Sequence, residues 1–135
     1  MSEIEILKQF KRSLISFLDE LISQFPKEGD LVMFRIFLKD RIEIVTIMNL
    51  FVLKILPFQK MIEERNEDFF LNHCSIFNSI KGEKQSKVHK FKKLWRSSSL
   101  DSEDRRIVWE WFDSFIFLSQ KYQNCVVKNQ QKKPY

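Results

Sequence analysis

The chain has no alanine, and its 135 residues include only 2 glycines, 3 prolines and 2 cysteines. Each shortage excludes something. Cys74 and Cys125 form no Cys-x-x-Cys and are too few for a disulfide framework, so a reduced, intracellular setting is predicted. Two glycines leave no glycine-rich loop to cradle phosphate, and neither a P-loop nor Gly-x-Gly-x-x-Gly occurs. His-Glu-x-x-His and Gly-x-Ser-x-Gly are also missing. Without alanine, the best helix former, any helix must be held by tertiary packing of bulky side chains. Long apolar runs are lacking too. The longest, 42–56, spans 15 residues and contains Glu43, Asn49 and Lys54. A membrane span needs about 20 apolar residues, so a buried central helix is predicted and membrane insertion is not. The start, Met-Ser-Glu-Ile-Glu, has neither the basic and apolar regions of a secretory signal nor a myristoylation glycine at position 2.

What the chain does have is phenylalanine, 14 of them. Most recur three or four positions from another large apolar residue, the spacing of one helix face. Burying each phenylalanine contributes about 1.5–3 kcal/mol, enough in total for a sizeable core. With 44% hydrophobic and 30% charged residues, the composition is that of one soluble globular domain. The patterning predicts an all-α single-domain bundle of five or six helices around a Phe-rich core, in which Phe10, Phe51, Phe77 and Phe115 meet.

The helix boundaries follow from caps and breakers. A first helix is expected over 2–24, with Ile4, Leu7, Phe10, Leu14, Phe17 and Leu21 on one stripe, stopped at Phe25-Pro26. Asp30 is expected to cap a short helix over 31–39. Asp40 and Glu43 have capping-box spacing and are expected to open the central helix, 42–56. The pattern leaves open whether these two are separate or one bent rod. Pro57 ends or kinks this stretch, and a short helix is expected over 58–65. Asn66 is a good N-cap for a helix through Phe69, Phe70, His73, Phe77 and Ile80, stopped by Gly82. Another helix is expected over 86–96, with Val88, Phe91, Leu94 and Trp95 on its apolar side. Asp101 or Ser102 caps the last one, over 103–122. The domain is taken as 1–122, with 123–135 a polar, flexible tail.

Charge is divided unevenly along the chain. Residues 1–80 carry 10 Lys and Arg against 12 Asp and Glu, whereas residues 81–135 carry 13 against 6. Seven of these bases (Lys81, Lys84, Lys87, Lys90, Lys92, Lys93 and Arg96) fall within 81–96 beside one acid, Glu83. Lys84, Lys87 and Lys90 share a helix flank, a stripe that attracts phosphate oxygens or an acidic protein surface. The plainer reading is the solvated face of a basic domain, since no base-stacking motif accompanies the lysines. Trp111 joins the core stripe of the last helix. Trp109, two residues earlier, points elsewhere and is either a second packing contact or an exposed anchor for a partner.

Other candidates reduce to structure. His73 and Cys74 diverge by about 100° on a helix, so they do not ligate one ion together, and no second pair has zinc spacing. The carboxylates Glu63, Glu64, Glu67 and Asp68 flank the Asn66 cap, and Asp101, Glu103 and Asp104 open the last helix, so helix electrostatics accounts for both groups. No catalytic, metal or cofactor-binding residue is predicted.

Several segments resemble a group of small helical proteins encoded by large nucleocytoplasmic DNA viruses of algae and protists. They are Phe25-Pro26, Arg65-Asn66-Glu67-Asp68-Phe69-Phe70-Leu71, Leu94-Trp95 with Leu100-Asp101, and Ile107-Val108-Trp109 through Tyr122. The similarity extends over most of 5–122. It implies a viral origin, which suits a Lys-, Ile-, Phe- and Asn-rich composition. A non-enzymatic role follows as an expectation: a virion-associated component or a modulator of a host protein, located in the virion or host cytoplasm. Its expected surface is Lys84, Lys87, Lys90, Lys92, Lys93, Arg96 and Trp109, presented to a protein partner. The alternative is nucleic-acid binding through the same lysines without base readout.

Overall fold

A computed structural model describes residues 2–73 and 92–132. They form an all-α bundle with an aromatic core. In chain order the elements are α1 (Glu3–Gln24), α2 (Gly29–Asp40), α3 (Ile44–Lys54), a 3-10 turn (Leu56–Phe58), α4 (Gln59–Glu63), α5 (Glu67–His73) and α6 (Ser102–Lys132). Residues 92–95 form a further helical turn. Residues 74–91 lie outside the described residues, and with them Phe77, the expected stop at Gly82, the start of the helix expected over 86–96, Phe91 and the lysines at 84, 87 and 90.

The long helices α1 and α6 are the frame. At 31 residues α6 is about 46 Å long. It runs antiparallel to α1: Asn129 Nδ2 donates to Glu3 Oε1 at 2.8 Å near one end, and Trp111 Nε1 donates to Glu20 Oε2 at 2.8 Å toward the other. On the opposite flank α1 packs on α2, tied by Arg35 Nε to Asp19 Oδ1 at 2.6 Å. The third neighbour, α3, touches both α1 and α6. Phe10, Phe51 and Phe115 meet where these three helices converge. Their ring centroids are 5.8 Å (10–51), 5.8 Å (10–115) and 6.1 Å (51–115) apart, all edge-on. Edge-to-face pairs of this kind add about 0.5–1.5 kcal/mol beyond area burial.

Side-chain caps open three helices, and two of them, at Asn66 and Asp101, are the expected ones. Ser2 Oγ accepts from Glu5 N, and Asn66 Oδ1 accepts from Phe69 N. Asp101 and Asp104 form a reciprocal box at the start of α6, each carboxylate accepting from the other's backbone N–H, at 2.8 and 3.2 Å. Elsewhere the structure differs. The N-cap of α2 is Glu28, and Asp30 sits in the first turn. Helices α2 and α3 are separate. Asp40 is the last residue of α2, so it caps nothing, and Glu43 is an N-cap without a side-chain bond.

The expected central helix is shorter, Ile44–Lys54, and packs by one face. Ile47, Met48 and Phe51 are buried, whereas Leu53 is 69% exposed. The stretch Ile44–Glu63 is long and apolar enough to cross a membrane by length and composition, with a mean hydropathy of 1.4. Its backbone is broken by the 3-10 turn at Pro57, and Ile55 and Ile62 join the same core. The last helix also departs from expectation. It continues ten residues past Tyr122, so 123–132 is helix and not tail, and Cys125 and Val126 pack on the core.

Candidate interaction surface

The turn at 92–95 is anchored by Trp95, which is buried against Phe70 (5.0 Å) and Trp109 (5.7 Å). Its indole N–H donates to Glu67 Oε1 at 3.1 Å, and its carbonyl accepts from Arg105 Nε at 3.1 Å. These bonds pin the turn between α5 and α6. Lys93 and Arg96 are then carried to the surface and Lys92 to its edge. Among the described residues none of the three pairs with a carboxylate. Three of the expected surface cations are therefore described and lie together at this turn.

Trp109 is not at that surface. It is 6% exposed, 4.7 Å from the Phe70 ring, and carries the Arg65 guanidinium 5.5 Å over its own ring. The exposed-anchor reading is therefore excluded. The cause is that α6 has neighbours on two flanks. One flank meets α1 through Trp111 and Phe115. The other meets α4, α5 and the 92–95 turn and closes over Trp109, with Phe112 between the two flanks, against Phe17 of α1 and Phe70 of α5. Trp111, expected in the core, is pushed to the rim, where its N–H reaches Glu20.

Sequence reasoning missed Arg65. It sits just past α4 with φ 57°, a left-handed conformation normally left to glycine. Asn66 N bonds Met61 O and Arg65 N bonds Ile62 O, both at 3.0 Å, which closes the helix end in a Schellman motif. A non-glycine residue there costs about 1–2 kcal/mol. The Arg65 side chain offsets this with two 2.8 Å bonds to Asp113 and one of 3.1 Å to Ile62 O. The Asp113 hydrogen bond holds the guanidinium pKa above its ordinary value. Along α6, Arg106 bonds Glu103 and Glu110, which lowers the Glu103 pKa through the hydrogen bond.

Tyr122 is buried, and desolvation raises its pKa, with a smaller contribution from Glu3. In the unfolded chain this phenol ionises near pH 10. The fold resists that ionisation, so Tyr122's contribution is complete below pH 10 and is lost as pH rises through the folded pKa. Tyr122→Phe should flatten the alkaline limb of the stability–pH curve while leaving neutral pH within about 1 kcal/mol. Denaturant midpoints measured from neutral to strongly alkaline pH test this. Parallel curves for the two proteins would remove Tyr122 as the cause.

Two clefts open on the surface of the bundle. One, about 250 Å³, lies between Glu20, Leu21 and Gln24 of α1 and Asp104, Ile107 and Val108 of α6. Its two carboxylates already have structural work, since Glu20 accepts from Trp111 and Asp104 caps α6. The other, about 290 Å³, lies beside the 3-10 turn and is lined by amides of Gln59, Gln120, Gln123 and Asn124, with no ionisable group. Among the described residues no cluster of three His, Cys, Asp or Glu is placed to hold a metal. His73 is the last described residue of α5, and Cys74 lies outside the described residues. No protein family, curated protein or solved structure matches this chain.

Proposed function

We propose that this chain is a non-enzymatic interaction or structural protein of viral origin, virion-associated, that presents a basic helical surface to a protein partner. The supporting observation is how its charges are used. Asp19, Glu20, Arg35, Arg65, Glu67 and Asp113 are engaged within the fold. Among the described residues Lys92, Lys93 and Arg96 pair with no carboxylate, and they lie in the half of the chain with the excess of base. Surface of that kind recruits acidic partners and speeds encounter. Mass spectrometry of purified particles of the source virus tests the assignment. Peptides of this chain at the abundance of other structural components are expected. Their presence in infected cells but absence from particles would remove virion association.

The second reading is electrostatic nucleic-acid binding by the same residues. It is favoured by the burial of Trp109, which leaves charge and not an aromatic anchor at this surface. On duplex DNA each neutralised phosphate contributes about −0.9 to the slope of log K against log salt. Replacing Lys92, Lys93 and Arg96 together by Gln should make that slope shallower by about 2.7. A slope unchanged by the triple substitution would rule out this surface as the duplex contact.

A further inference from the structure

The basic segment at 81–96 is not the chain's only acid-poor region. From Ser114 to Tyr135 there are four lysines and no Asp or Glu. The described part of this stretch is the second half of α6. Helical geometry places Phe117, Lys121, Asn124 and Lys128 on one ridge, at steps of four, three and four residues. All four are exposed. The same ridge in the first half of α6 is Glu103, Arg106, Glu110 and Asp113, where acid and base are paired. Charge thus changes character halfway along one continuous face.

Three features of the second half converge. Phe117 is a large aromatic, 54% exposed, on a helix whose other aromatics are buried or at the rim. The Lys121 ammonium lies 4.8 Å from its ring centroid, so ring and cation are presented together. Alongside runs the amide-lined cleft, where Gln59, Gln120, Gln123 and Asn124 offer neutral donors and acceptors. Glu3, the acid bonded to this stretch, is held at its edge by Asn129.

From this juxtaposition we infer that the Phe117–Lys128 ridge of α6 is a contact surface for single-stranded nucleic acid. Lys121 and Lys128 meet backbone phosphates, an unpaired base stacks on Phe117, and the amides receive base edges without sequence preference. Cation plus aromatic is the combination by which proteins hold single strands. A purely acidic segment such as polyglutamate would engage the lysines but has no planar base to stack on Phe117, whereas a single strand uses cation, ring and amides together. The surface is separate from Lys92, Lys93 and Arg96, so either can fail without the other.

The test is fluorescence anisotropy of the full chain with labelled oligothymidylate, titrated across salt, against a polyglutamate peptide. Oligothymidylate should bind and polyglutamate should bind far less. Lys121→Gln with Lys128→Gln should weaken binding and make the salt slope shallower by about 1.4, at about 0.7 per phosphate on single strands. Phe117→Ala should weaken binding by about 5- to 150-fold, the range of one base–aromatic stack, with no change in slope. All these side chains are exposed, and circular dichroism would verify folding of each variant. Equal binding of polyglutamate would assign the ridge to an acidic protein instead. Absence of binding, or Phe117→Ala binding like the wild type, would overturn the inference. So would loss confined to the Gln substitutions at 92, 93 and 96.

Discussion

Phe115→Ala is expected to destabilise the protein by about 3–5 kcal/mol, a large share of the stability of an ordinary domain. Phe115 is fully buried where α1, α3 and α6 converge. Its ring centroid lies 5.8 Å from Phe10, 5.6 Å from Phe17, 6.1 Å from Phe51 and 5.4 Å from Phe112. Truncation removes the ring's transfer free energy and leaves a cavity whose walls come from three helices, which restricts collapse. Phe117 provides the comparison. It is the same residue type two positions along the same helix, but 54% exposed. Phe117→Ala should change stability by about 0.5 kcal/mol or less. Urea denaturation of both variants measures the contrast. Similar midpoints would mean that burial at this junction does not organise the fold.

That contrast indicates how much of the molecule its sequence declares. Phe115 and Phe117 have identical propensity, and only their register separates them. Spacing of three and four carries that register, which is why Phe10, Phe51 and Phe115 were placed correctly in one core. Caps with side-chain chemistry of their own, Asn66 and Asp101, were legible for the same local reason. What failed depends on neighbours. A single-stripe reading of α6 assumes one packed face, but α6 is packed on two, so Trp111 moves to the rim, and of the two readings open for Trp109 the packing contact holds and the exposed anchor does not. The end of α6 was misplaced because the composition turns polar after Tyr122. Yet no breaker occurs before Pro134, and Cys125 and Val126 continue the packed arc. Arg65 was invisible because its backbone conformation is that of a glycine. Its role depends on Asp113, 48 residues away. Of the candidate surface, charge was readable because lysine position along the chain already separates the halves. The second ridge was hidden because its lysines are dispersed and become neighbours only on a helix that was expected to end sooner.

Trp109→Ala should cost about 3–5 kcal/mol, and the loss should be cooperative across elements distant in sequence. The indole is the shared wall of two contacts: Phe70 of α5 at 4.7 Å and Trp95 of the 92–95 turn at 5.7 Å. It also supports the Arg65 guanidinium at 5.5 Å, whose fork to Asp113 joins the end of α4 to α6. Removing it therefore loosens the turn that carries Lys92, Lys93 and Arg96 as well as the core. Binding data on the alanine variant alone would not separate a lost contact from a lost fold. Trp109→Phe resolves this. It keeps an aromatic wall, should fold with a smaller penalty, and removes the indole N–H and part of the ring. A partner that gripped Trp109 directly would release the phenylalanine variant while circular dichroism stayed native. Because the ring is enclosed, the expectation is the reverse: wild-type affinity in Trp109→Phe, and loss only when the cations beside Trp95 are replaced.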